Sequence, residues 1–256
     1  MRALKGEEEG GRRQRQRVGP APHDAPPSDA EVAGMELAEV VAALRAQMAV
    51  ARVAEKACKR LEVLGRLGGG AQAAGDAGAL EAVVAAMRAH SDVADVQVAG
   101  CIALCAVSNG DDAAGLARKQ RAVEAGAIEE VVAALRVHPQ VALVQETGCG
   151  ALGNVCWGED AAALSRHQRA AAAGAIEEIV AAMRAHAQVV EVQERGCCTL
   201  LILCRGSDDA AARTRGRLAL QAGGRTAVVD AMEAHPEDDG VQNYGQRVLD
   251  KLPAEV

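Results

Sequence analysis

Apolar residues recur along this chain at helical spacing. Ile128, Val131, Val132 and Leu135 stand at i, i+3, i+4 and i+7, one stripe on an amphipathic helix. Leu80, Val83, Val84 and Met87 carry the same stripe earlier, and Ile176, Ile179, Val180 and Met183 carry it later. A second stripe follows each of these: Val144, Gly148, Leu152 and Val155, matched by Val192, Gly196, Leu200 and Leu203. His138-Pro139 and His235-Pro236 mark the break between the two helices, because the residue before a proline is pushed out of the α region. A third, shorter helix precedes each pair. It starts after acidic N-caps at Asp111-Asp112, Glu159-Asp160 and Asp208-Asp209, which suit a helix N-terminus, and ends at the glycine of an Ala-Gly pair.

The stripes belong to a long-period repeat. AGALEAVVAAMRAH begins at Ala77, AGAIEEVVAALRVH at Ala125, AGAIEEIVAAMRAH at Ala173 and a weaker AGGRTAVVDAMEAH at Ala222, spacings of 48, 48 and 49 residues. Behind them come VQVAGCIALCAV, VQETGCGALGNVC, VQERGCCTLLILC and VQNYGQRVLDKL, starting at Val96, Val144, Val192 and Val241. VVAALRA at Val40 and VAEKACKRLEVL at Val53 form a degenerate earlier copy, and the first helix before Ala77 has decayed into a glycine-rich stretch. Periods of this size signal stacked helical repeats, since one unit cannot bury its apolar faces alone. The expected fold class is all-α, with a partial unit over 29–67 and repeats over about 68–110, 111–158, 159–206 and 207–256. Residues 1–28 mix charge, Pro and Gly and are expected to be disordered; the first helix starts at Ser28, which has capping-box spacing to Glu31.

Composition sharpens this picture. Half of the residues are apolar but aromatics are only 1%, so Ala, Val and Leu must build the interior and helices can approach closely. A net charge of −7 argues against nucleic-acid binding by counterion release. No apolar run reaches the ~18–20 residues of a membrane span, and Glu7, Glu8 and Glu9 sit where a signal peptide would be apolar. A cytoplasmic, or else nuclear, location follows, with the eight cysteines as thiols.

The third-helix segment VQETGCGALGNVCWG, Val144 to Gly158, resembles the last helix of an armadillo repeat, which runs roughly V-Q-x-x-A-x-W-A-L-x-N-I-A-x-G. The resemblance covers about residues 31–256. It implies a right-handed armadillo-type α-solenoid of about four and a half three-helix repeats, whose third helices line a concave groove for an extended peptide. The groove asparagine of that family falls on Asn154, but its counterparts are Ala106, Ile202 and Lys251. The family tryptophan falls on Gly150, with Ile102, Cys198 and Arg247 elsewhere. Recognition of basic localisation signals does not carry over with those residues missing.

Candidate chemistry is sparse. Cys101, Cys149 and Cys197 repeat one position, with Cys58 as their counterpart, at helix spacings too wide for disulfides; they read as buried structural thiols. His90, His138, His186 and His235 recur at the end of the second helix, where an imidazole favours the last carbonyls, and His167 stands alone in a polar helix and is read as solvated. Gly68, Gly70 and Ala73 mimic a dinucleotide fingerprint but follow a helical pattern, so a repeat boundary explains them. Glu129-Glu130 and Glu177-Glu178 read as N-terminal helix charges. Arg12, Arg13, Arg15 and Arg17 suit either a solvated tail or an import or phosphate-binding patch. No enzyme activity, cofactor or metal site is expected.

The expected function is therefore non-catalytic binding of another protein, by a chain that is monomeric or weakly associating; a structural or co-chaperone-like subunit of a larger complex is the alternative. The groove stripe takes in Lys59, Ile102, Asn109, Thr147, Asn154, Trp157, Arg195, Ile202, Arg205, Tyr244, Arg247 and Lys251, with Lys56 and Arg66 beside them and Glu55, Asp95, Glu146 and Glu194 flanking. Cations are commoner there than in the chain as a whole, which suits an extended acidic or phosphorylated peptide; a merely solvated helix face is the other reading. Trp157 is either a binding anchor or a helix-end packing residue.

Overall fold

The computed structural model describes residues 25–205 and 210–252, and every regular element among them is an α-helix. The tail arginines Arg12 to Arg17 and the Asp208-Asp209 cap lie outside these residues. The helices fall into consecutive groups of three. The first group is α1 (Asp29–Gly34), α2 (Leu37–Ala46) and α3 (Ala51–Gly65); the second is α4 (Gly70–Asp76), α5 (Ala79–Ala89) and α6 (Ala94–Ser108). Then come α7 (Ala113–Glu124), α8 (Ala127–Val137) and α9 (Ala142–Cys156), followed by α10 (Ala161–Ala172), α11 (Ala175–Ala185) and α12 (Val190–Leu203). The last group is α13 (Ala210–Gln221), α14 (Gly224–Ala234) and α15 (Asp239–Leu249). Each third helix packs on the next in chain order, α3 on α6, α6 on α9, α9 on α12 and α12 on α15; the second helices do the same from α2 to α14. Both stripes face inward, so Val83, Met87, Val131, Leu135, Ile179, Met183, Leu152 and Leu200 share one continuous buried cluster.

Local signals place the helix ends. The Ser28 amide donates to the Glu31 carboxylate at 2.7 Å, and the Glu31 amide donates to the Ser28 hydroxyl at 3.3 Å, the reciprocal capping box. Asp112 and Asp160 accept from the amides of Gly115 and Ala163 at 2.8 and 2.7 Å. Between first and second helices Gly78, Gly126, Gly174 and Gly223 all adopt positive φ, which only glycine takes without strain. The glycine-rich stretch before Ala77 is helical rather than decayed: α4 keeps seven residues where α7 and α10 have twelve, and its alanines supply the propensity.

Contacts between groups are made by polar side chains at repeating positions. Arg45 and Arg184 each donate to the carbonyl of the next group's turn glycine, Gly78 and Gly223, at 3.1 Å. Arg88 and Arg136 instead pair with Glu130 and Glu178 of the next group at 3.0 and 2.8 Å, and Arg169 reaches back to Glu129 at 2.6 Å, so these glutamates do more than face a helix dipole.

The recurring histidines do not cap their own helices. Nε2 of His90, His138, His186 and His235 lies 2.8–2.9 Å from a carbonyl of the preceding group, on Met48, Ser91, Pro139 and Ala187 respectively. The helix ends are capped by glutamine. Gln97, Gln145, Gln193 and Gln242 each donate twice, to the carbonyl of the repeated histidine and to that of the residue three before it, at 2.7–3.0 Å.

His167 is likewise not solvated. It is buried completely, with Nε2 2.8 Å from the Cys156 carbonyl at the end of α9. Beside it the first helices bury a row of arginines that donate to the last carbonyls of the preceding third helix. Arg118 reaches Val107 at 2.9 Å, Arg166 reaches Trp157 at 2.9 Å, and Arg215 reaches Leu203 at 2.6 Å. A cation at the negative end of a helix dipole is stabilised there, which explains buried charge without a carboxylate partner among the described residues.

Candidate binding groove

The third helices share one exposed face, and across it runs a groove of about 590 Å³. Its sides are set by α3 through Glu62 and Arg66, by α6 through Ile102 and Cys105, and by α12 through Arg195, Cys198, Thr199 and Ile202. The floor is α9, from Leu143 and Glu146 past Gly150 and Gly153 to Asn154 and Trp157. Asn109, Asp111 and Lys119 close the end nearest the α6 C-terminus.

Of the residues assigned to the groove from the sequence, Ile102, Asn109, Thr147, Asn154, Trp157, Arg195 and Ile202 line it together. Ile202 is buried at 3% exposure, so it offers an apolar base and no protruding contact. Thr147 turns its hydroxyl back to the Leu143 carbonyl at 2.7 Å, and Asn154 accepts from the Ser108 hydroxyl at 2.8 Å, fixing its carboxamide. Arg205 stands just outside, its guanidinium 5.1 Å from the Trp157 ring centroid and 3.4 Å from Glu159. Arg205 covers part of the Trp157 ring, while 38% of the residue stays exposed. Lys59, Tyr244, Arg247 and Lys251 fall outside the groove. Lys59 is held by Glu55 at 2.7 Å, and the other three lie along or just beyond α15.

Sequence spacing missed several lining residues. Lys119 comes from a first helix, and nothing in the third-helix stripe announces it. Leu143, Cys105 and Thr199 lie outside the groove stripe read from the sequence, and Leu143 is 51% exposed. The third-helix pattern was legible; which of its apolar positions the neighbouring helices leave uncovered was not.

Comparison with family models, with curated proteins and with solved structures gave no match. The groove's own chemistry is what remains to read.

Its charges are nearly balanced, and most are already committed. Arg66 pairs with Glu62 at 2.9 Å. Lys119 pairs with Asp111 at 3.6 Å and donates to the Gly110 carbonyl; burial pulls its pKa below the ordinary lysine value, and Asp111 works against that. Glu146 is raised, chiefly by burial and then by repulsion from Glu191, with the Arg195 charge opposing both. Arg195 has no ion-pair partner among the described residues. The thiols are held protonated: burial pushes Cys105 up to about 11, with Arg195 and Arg66 pulling the other way, and raises Cys198 as well. A thiol so raised is a poor nucleophile at neutral pH. Among the described residues no group of three or more His, Cys, Asp or Glu converges as a metal site would require, and no helix is long and apolar enough to cross a membrane.

Proposed function

We propose that the chain is a right-handed armadillo-type solenoid acting as a non-catalytic protein-interaction module, which takes an extended segment of a partner protein along this groove. The observation that carries the reading is the continuous groove itself, built from equivalent faces of four successive third helices and holding the chain's one tryptophan half-exposed. Trp and Arg are both enriched among the residues that dominate the energy of protein interfaces. The protonated groove thiols support binding over covalent catalysis. Arg195, the lining cation with no ion-pair partner among the described residues, favours a segment bearing an acidic or phosphorylated side chain. The module acts as a monomer in the reducing cytoplasm or nucleus.

A structural-subunit role is the second reading, supported by the exposed pair Val63 and Leu67, one turn apart on α3 and just beyond it. The test is titration of acidic, phosphorylated and basic peptide libraries against the wild type and the Arg195→Glu variant. Acidic and phosphorylated peptides are expected to bind the wild type best, and the variant to lose or reverse that order. An unchanged order removes the acidic preference. Absence of binding by any library, with isolation of a stoichiometric complex, replaces the groove reading by the structural one.

A further inference from the structure

Glycines inside these helices divide by what stands next to them. Gly100, Gly148, Gly196 and Gly245 face the second helix of their own group. A Cβ on them would lie 2.4, 2.7, 2.6 and 2.7 Å from the side chains of Met87, Leu135, Met183 and Met232. At Gly153 it would lie 2.8 Å from the hydroxyl of Thr199, which donates to the Cys149 carbonyl at 2.8 Å. Helix-to-helix approach demands glycine at all five. Gly150 answers to no such demand. A Cβ there would meet only Cδ of Arg195, at 3.7 Å, an ordinary contact with a flexible side chain. A helix-interior glycine gives up backbone entropy and the stability alanine would supply, and no packing gain offsets that loss at Gly150.

What Gly150 does is open the groove floor. The equivalent positions on the neighbouring third helices carry Ile102 and Cys198, so α9 forms a notch about one side chain wide between two apolar walls. Trp157 and Leu143 stand near its two ends, both exposed. The stem of Arg195 borders the notch, and its guanidinium is the lining cation not already paired; Arg66 and Lys119 hold Glu62 and Asp111.

We infer that Gly150 seats a bulky apolar side chain of a partner protein's extended segment, with the acidic or phosphorylated residue that pairs with Arg195 immediately beside it. The recognised feature is thus a hydrophobic residue adjacent to an anionic one. This rests on the groove reading, and the two can fail separately.

The experiment selects a random peptide library displayed on phage against the immobilised wild-type chain. Enriched peptides are then titrated in solution by the fluorescence of Trp157, the only tryptophan. Enriched sequences are expected to share a Leu, Ile, Met or Phe next to Asp or Glu. Gly150→Leu, whose Cβ meets only the flexible Arg195 stem and whose side chain would fill the notch, is expected to weaken them tenfold or more with no loss of Tm. Changing the peptide's apolar residue to Ser is expected to do the same against the wild type, and Arg195→Ala to weaken binding severalfold. Peptides that lack the pair, or that bind Gly150→Leu as tightly as wild type, overturn the notch while leaving the groove. Failure to enrich any peptide overturns the groove reading itself.

Discussion

Replacing Gln145 by leucine tests whether glutamine, rather than histidine, terminates the second helices. Gln145 is buried at 2% exposure, and its carboxamide donates to the Leu135 carbonyl at 3.0 Å and to the His138 carbonyl at 2.9 Å. The two acceptors are not equivalent. His138 also receives the Val141 amide at 3.1 Å, so it keeps one partner in the variant. Leu135 would ordinarily receive the amide of residue 139, but that residue is Pro139 and has none. Leucine of similar volume therefore removes one replaceable bond, worth about 1 kcal/mol, and orphans one buried acceptor, at about 1–3 kcal/mol. The sum is about 2–4 kcal/mol, a large part of a typical domain's ~5–15 kcal/mol. Gln242→Leu is the control, because its site is half-buried and water can replace the bonds. Urea denaturation should show the Gln145→Leu midpoint falling by the larger amount and Gln242→Leu costing about 1 kcal/mol or less. Equal losses from the two, or a Gln145→Leu loss below about 1 kcal/mol, refute the capping account.

Two further perturbations follow from named contacts. Alanine two residues apart on α9 should have opposite effects. Gly150→Ala makes only an ordinary contact with the Arg195 stem and should gain about 0.5–1 kcal/mol. Gly148→Ala drives into the buried Leu135 side chain and should lose about 1–2 kcal/mol after its propensity gain is subtracted, and thermal melts with the same sign for both would count against the packing. Burial, reinforced by the Arg215, Arg166 and Arg205 charges, lowers His167 from 6.5 to about 4 against the bond to the Cys156 carbonyl. A lowered histidine leaves the folded state holding fewer protons than the unfolded chain between those values, so stability is full above about 6.5 and is lost as pH falls towards 4. His167→Gln keeps a donor for Cys156 and should lose on the order of 2–3 kcal/mol less than wild type between pH 7 and 4; parallel stability curves would show that His167 does not titrate as argued.

Much of the helical layout was legible because it depends on spacing within one helix. The stripes at Ile128–Leu135 and Val144–Val155, the glycines between first and second helices, and the caps at Ser28, Asp112 and Asp160 all act over a few residues. What escaped depends on contacts between helices, from seven to 48 residues apart. Hydrophobic periodicity scores His167 as polar and so as solvated, yet it and its neighbour Arg166 bond the last carbonyls of the preceding helix. The histidines were placed at the right helix ends with the wrong partners, because their rings reach into the preceding group. The glutamines sat in plain view after each repeated valine, but a helix-interior Gln gives no sign that the carbonyls it caps lie seven and ten residues back. The groove was harder still, since its most distinctive feature at Gly150 is a missing side chain.

The stack and its groove are built on opposite rules. Inside, each group from the second onward repeats the same atoms: a glutamine on two carbonyls, a histidine on the group before, and a glycine under Met87, Leu135, Met183 or Met232. On the groove face equivalent positions diverge. One row reads Lys59, Ile102, Gly150, Cys198 and Arg247, and another Arg66, Asn109, Trp157 and Arg205. Packing does not account for these differences at Gly150, where a Cβ would meet only the Arg195 stem at 3.7 Å. A partner sensitive to them has to cross several third helices in turn, and an extended segment does that, whereas a folded domain would rest on the rims at Leu143 and Trp157. Shuffling the row positions among groups without touching the buried repeat should therefore keep Tm and change which peptides bind. Loss of the fold in such shuffles would mean that the divergence serves packing after all.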